Sequence, residues 1–273
     1  MSVVRTERFD TPETITLRVS CPVGLVQVIA EPSAVTTVEF SGDDPVASEI
    51  AAKARVELTG RELVVHLPDR AFRMFRRYRG FAVTVRLPEN SALVGEVAAA
   101  TLATEGILSR AGVNTASGEV RIGDVTGDVR VKSASGSVSA GHVAGRADVR
   151  SASGAIRIAA VGADAEAHSA SGSVTMGSVG GSATIRTASG GIHVGSLERG
   201  TAELKSASGA ISVGIAAGTG VWLDVSSLSG TTSTDLPVGG EEPAGGHQLR
   251  LVARSLSGSV QVTRAASSPL RAG

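Results

Sequence analysis

The sequence has little with which to fill a thick core. Its 273 residues include five Phe, one Trp and one Tyr, and no aromatic side chain occurs between Ala82 and Val221. Large apolar areas in globular cores come mainly from Phe, Trp and Leu, so a conventional core is excluded over that stretch. Cysteine is almost absent as well. Cys21 stands alone, which rules out an intramolecular disulfide or a thiolate zinc site and leaves a small residue buried in a strand. Charge of one sign is missing too: Lys plus Arg and Asp plus Glu both number 26, which argues against a specific nucleic-acid binder. No run approaches the ~18–20 uninterrupted apolar residues of a membrane-spanning helix. The opening MSVVRTERFDTPETITLRVS carries charges where a secretory signal needs an apolar stretch. The expectation is a soluble cytoplasmic protein, at most peripheral to the inner face of the membrane.

What is abundant is glycine, 34 residues, and it is periodic. Ala-Ser-Gly triplets end at Gly118, Gly136, Gly154, Gly172, Gly190 and Gly209, at spacings of 18, 18, 18, 18 and 19, and Leu-Ser-Gly variants end at Gly230 and Gly258. From Gly118, apolar residues recur at Val120, Ile122, Val125, Val129, Val131 and Ala134, and the next unit repeats them at Val138, Ala140, Val143, Ala147, Val149 and Ala152. A more divergent unit precedes these, with Leu102, Ile107, Ala111, Val113 and Ala116 in register. Each unit is two nine-residue half-turns. Steps of two are strand alternation, and the longer steps mark corners where Gly or Ser permits tight geometry. A helix would lose ~1 kcal/mol at every such Gly. The pattern predicts an all-β fold: a single-chain parallel β-solenoid with 18-residue coils stacked ~4.8 Å apart.

Residues 93–264 form the expected solenoid, with a mobile loop at 235–247 and a flexible tail at 265–273. One extra residue in Leu197-Glu198-Arg199-Gly200 predicts a local bulge. Leu228 and Leu256 replace the usual Ala, so the solenoid is expected to widen there. Residues 1–92 read as an irregular β-rich cap. Alternating runs lie at Thr14 to Val19, Leu25 to Ile29, Thr37 to Phe40, Arg55 to Leu58, Glu62 to Leu67 and Phe81 to Leu87. Such a cap covers strand edges that would otherwise template aggregation.

Sites of chemistry are hard to find. Ser and Thr recur beside the Ala, which is read as facing inward, but no His or Lys recurs with them to activate an oxygen, so they read as corner residues. No two adjacent coils repeat a carboxylate pair, the five His fall at unrelated positions, and no phosphate loop or nucleophile elbow is present. Neither catalytic residue, metal nor cofactor is expected.

Two surface features remain. One is an outward ladder of Lys132, Arg150, His168, Arg186 and Lys205, beside a column holding Asp148, Glu166 and Glu203. It reads as a mixed-charge solvated face, with a polyanion-binding stripe as the alternative. The other is Arg70-Ala71-Phe72-Arg73-Met74-Phe75-Arg76-Arg77-Tyr78-Arg79, five Arg and no acid in ten residues. As a short helix it would separate Phe72, Phe75 and Tyr78 from Arg70, Arg73 and Arg77, which suits an anionic membrane surface or an acidic partner. Its other reading is a loop whose aromatics plug the solenoid while the Arg side chains reach water.

The bridge AVTVRLPENSAL at residues 82–93, the β-rich start and the repeated S-x-S-G corners together resemble the bacterial "putative adhesin" β-solenoid family, also called toastrack, from about Thr14 to Val262. The resemblance implies a scaffold or interaction module, linked to envelope or membrane-associated stress systems, and carries over no catalytic residue. The functional expectation is a non-enzymatic scaffold with a protein or membrane partner. A carbohydrate-active β-helix enzyme and a solenoid that self-assembles, as a homo-oligomer or end to end, are the alternatives.

Overall fold

Short runs of alternating apolar residues, each ended by a corner, form strands too narrow to bury anything larger than Val, Ile, Leu and Met in most coils. The computed structural model describes residues 2–43, 45–68, 80–236 and 248–265. The chain divides into two units, Met1–Val143 and Ala144–Gly273. In both, each regular coil contributes one strand to each of two sheets, and the residues inside are those of the apolar columns.

The first unit contains β1 (Ser2–Asp10), β2 (Thr16–Cys21), β3 (Leu25–Glu31), β4 (Val35–Gly42), α1 (Pro45–Lys53), β5 (Arg55–Thr59), β6 (Glu62–His66) and β7 (Ala82–Pro88). It continues with β8 (Ala92–Val97), β9 (Thr101–Glu105), β10 (Ile107–Leu108), β11 (Arg110–Thr115), β12 (Val120–Ile122), β13 (Asp124–Val125), β14 (Val129–Ser133) and β15 (Val138–Val143). One sheet runs β1-β4-β7-β3-β9-β12-β15, and the other β5-β6-β2-β8-β11-β14. The parallel coils therefore begin at β2, ahead of residue 93, because β2 and β3 share ladders with β8 and β9.

Antiparallel pairs β1–β4, β4–β7 and β5–β6 close the outer end of this unit. Helix α1 packs there through Ala47, Ile50 and Ala51. The sequence reading has no helix; Pro45 in its first turn and the Glu49–Lys53 pair are the local signals for one. Arg5 Nη1 donates to Ala51 O (2.5 Å) and Ala54 O (2.8 Å), satisfying carbonyls at the helix end, while its guanidinium sits 5.5 Å from the Phe40 ring. Phe40 and Phe81 pack 6.3 Å apart, so these aromatics are placed where coil regularity lapses.

The second unit contains β16 (Ala147–Ser151), β17 (Ile156–Val161), β18 (Ala165–Ser169), β19 (Val174–Val179), β20 (Ala183–Thr187) and β21 (Ile192–Leu197). Then follow β22 (Gly200–Ser206), β23 (Ile211–Ile215), β24 (Gly220–Ser227), β25 (Thr232–Thr234), β26 (Gln248–Ser255) and β27 (Val260–Arg264). Its sheets run β17-β19-β21-β23-β27-β25 and β16-β18-β20-β22-β26-β24. The 18-residue register holds from Ala147 through Ala165 to Ala183, and the extra residue moves the next partner to Ala202. It is taken up at the turn containing Gly200, at φ 91°; a separate register shift between Val194 and Leu197 follows in the pairing of β21 with β23.

Coil order is not chain order. The β26–β27 coil inserts between β22–β23 and the earlier β24–β25. In the first unit, β2–β3 likewise lies between β6–β7 and β8–β9.

The inward columns need three corrections. The Ala of each Ala-Ser-Gly corner, expected inside, is mostly exposed: Ala134, Ala152, Ala170 and Ala188 face solvent, and the preceding Ser or Thr is buried. Strand alternation simply runs one step further, from Val131 to Ser133, before the chain turns. Leu228 and Leu256 occupy that outward column, at 81% and 57% exposure, so they do not widen the core. In the divergent unit Leu108, not Ile107, is the buried residue opposite Val125, after Gly106 at φ 78°.

Candidate functional site

The outer face of the sheet β16-β18-β20-β22-β26-β24 carries much of the expected basic ladder. Register places Arg150, His168, Arg186, Lys205 and Arg254 opposite one another in successive strands, which is forced because period-two alternation sends every second residue outward. Stacked cations repel, yet Glu166, Glu203 and Asp224 lie among them. Glu166 accepts from Arg146 Nη2 (2.5 Å) and Arg150 Nη2 (3.2 Å), and lies 3.1 Å from His168 Nε2. Glu203 accepts from Arg186 Nη2 (2.8 Å) and pairs with Lys205. Asp224 takes Arg254 Nη2 at 2.6 Å. The hydrogen bond with His168, aided by Arg146, holds the Glu166 carboxyl below its ordinary value, and Lys205 with Arg186 does the same for Glu203. Farther along, the Arg250 guanidinium stacks 4.6 Å from the Trp222 ring. Lys132 belongs to the first unit, where its register partner is Asn114.

The repeated hydroxyls are engaged by the backbone. Gly118, Gly172, Gly190, Gly209 and Gly258 N–H groups donate to Thr115, Ser169, Thr187, Ser206 and Ser255 at 2.8–3.0 Å. Ser206 Oγ donates in turn to Gly190 O (3.1 Å) and Ser255 Oγ to Gly209 O (3.2 Å), tying one coil to the next. Glycine is needed here for close approach: a Cβ on Gly190 would lie 2.1 Å from Gly172 O.

Cys21 is buried, and burial pushes its thiol up to about 12, so no nucleophile forms there. Among the described residues no group of three His, Cys, Asp or Glu is placed to hold a metal ion. The segment of Arg70, Phe72, Arg73, Phe75, Arg76, Arg77, Tyr78 and Arg79 lies outside the described residues.

A shallow cleft of about 330 Å³ in the first unit was not foreseen. Its side chains include Thr14, Thr16, Arg61, Asn90, Ser109 and Arg110. They come from the starts of four neighbouring strands that are distant in sequence, so no local signal marks them.

The sequence matches the family described as Toastrack DUF4097 over residues 26–267. The chain belongs to this family. It matches no curated protein at a significant level. Among solved structures it is similar to a putative lipid binding protein from Parabacteroides distasonis, at 12% identity, with 96% of each chain covered and a TM-score of 0.49. A putative adhesin from Parabacteroides merdae gives 11% identity, 96% of each chain and a TM-score of 0.44.

Proposed function

We propose that this chain is a non-enzymatic β-solenoid interaction module, acting by presenting its outer surfaces to a partner. One observation supports this above others. Among the described residues, the polar groups that the repeat multiplies in its interior are the Ser and Thr hydroxyls, which bond corner glycines and are withdrawn from chemistry. The charged columns on the outer face are engaged mainly with each other, which favours a solvated surface over a polyanion stripe.

The docking element in this reading is Arg70 to Arg79, and the partner an anionic membrane surface at the inner face of the membrane. Each Arg near such a surface contributes about 1 kcal/mol, so replacing Arg73, Arg76 and Arg77 by Gln weakens partitioning by about two orders of magnitude. Phe72, Phe75 and Tyr78 add apolar anchoring. The expected result is sedimentation of wild-type protein with anionic vesicles at low salt, lost in the triple variant at unchanged melting temperature. Wild-type protein that never sediments removes the membrane and leaves an acidic protein partner. Cleavage of any member of a polysaccharide panel overturns the non-enzymatic reading.

A further inference from the structure

The cleft in the first unit is built at one edge of the sheet, where β6, β2, β8 and β11 begin side by side. Its floor is rigid. Ile15 N–H donates to Ser91 Oγ (3.1 Å), Ala92 N–H to Ile15 O (2.8 Å), Ser109 N–H to Ser91 O (3.0 Å) and Asn90 N–H to Ile107 O (2.9 Å). With those backbone groups engaged, the polar lining is two guanidiniums, three hydroxyls and a carboxamide, beside the small apolar surface of Ile15 and Ala92.

Arg61 and Arg110 stand on strands three steps apart, roughly 14 Å at parallel-strand spacing, with the neutral polar side chains between them. Among the described residues no carboxylate lines the cleft. Arg61 is held over it by Nε donating to Thr14 O (2.9 Å) and Nη2 to Thr14 Oγ1 (2.6 Å), while Nη1 lies 3.4 Å from Glu13 outside the lining. Arg110 is exposed and forms no ion pair among the described residues. A guanidinium presents paired N–H donors that match the planar or tetrahedral oxygens of a carboxylate or phosphate. The volume is at the lower limit of small-molecule sites, about 300 Å³, which suits a monosaccharide-sized ligand.

We propose that this cleft binds a small hydroxylated molecule carrying one oxyanion, with Arg110 donating to the anion, Thr16, Asn90 and Ser109 taking the hydroxyls, and Arg61 adding its positive charge from the far wall. A sugar phosphate and a uronate share that chemistry. The lining named here includes none of residues 70–79, so vesicle binding neither supports nor weakens the proposal.

The test is titration of the full chain, followed by the amide signals of Asn90, Ser109 and Arg110 at low salt. Glucose 6-phosphate, glucuronate, inorganic phosphate and glucose are the probes. At least one anionic sugar saturates these signals, more tightly than inorganic phosphate, and glucose leaves them unmoved; the one that binds better identifies the oxyanion. Arg110→Gln weakens binding about tenfold or more, the loss of one charge-assisted contact. Glu13→Gln, which frees Arg61 of its competitor, tightens it. No response to either anionic sugar overturns the proposal, as does an Arg110→Gln variant that binds like wild type. Inorganic phosphate binding as tightly as the sugars overturns the role of the hydroxyl-bearing side chains.

Discussion

Two serines separated by one residue have opposite fates at each corner. Ser206 is buried and links Gly209 N–H to Gly190 O, whereas Ser208 is exposed. Ser206→Ala therefore strands a buried donor and acceptor and is expected to cost about 1–3 kcal/mol, while Ser208→Ala is silent in the same denaturant titration. The neighbouring pair Val149 and Arg150 makes the same contrast for charge. Val149 is fully buried with Ala167 beside it, so Val149→Asp places a carboxylate where nothing pairs with it, and the thermal transition falls steeply or is lost. Arg150 is half exposed and shares Glu166 with Arg146, so Arg150→Ala is expected to change stability by no more than about 0.5 kcal/mol.

At the scale of elements, the inserted coil near the C-terminal end sets the dependence of one strand on another. Strands β26 and β27 hydrogen-bond β22 and β23 on one side and β24 and β25 on the other. A chain ending at Leu236 loses not the outermost coil but the one beneath it. Hydrogen exchange of residues 220–234 is then expected to rise to that of an unprotected segment, while β18 to β21 keep their protection. Retained protection in β24 would mean that it re-pairs directly with β22. Period-two alternation announced both strands; nothing in their composition announced their order, since their core-facing residues are of the same apolar kind.

For the whole molecule, the mixed-charge face makes stability depend on acid. Glu166 and Glu203 titrate lower in the folded chain than their ordinary 4.5. Their contribution is therefore complete above that value and is lost as pH falls through the lowered folded values, because the unfolded chain takes up the protons first. Both groups are near the surface, so the effect is modest and screened by salt. Melting temperature is expected to decline below pH 4.5, less steeply for a Glu166→Gln, Glu203→Gln double variant, and the difference to shrink in high salt. Identical slopes for the two proteins would place the acid sensitivity elsewhere.

The solenoid could be read from the sequence because a stacked coil demands the same residue at the same offset every turn. Gly at the corners, Val and Ile in the columns and the 18-residue step are each a local consequence of that demand. The basic ladder and the acid-bearing column beside it were legible for the same reason. Three things were decided only in three dimensions. Whether Ser133 or Ala134 turns inward depends on where the strand ends, and there the buried Ser133 hydroxyl donates to Gly136 O of its own corner (2.7 Å). The order of coils depends on which strands pair, and chemically equivalent edges leave no mark in composition. The Arg61–Arg110 cleft exists because β2 lies between β6 and β8, bringing together strand starts that are far apart along the chain. Periodicity specifies what stacks; it is silent on which coil stacks on which, and this protein's candidate binding site is a product of the second.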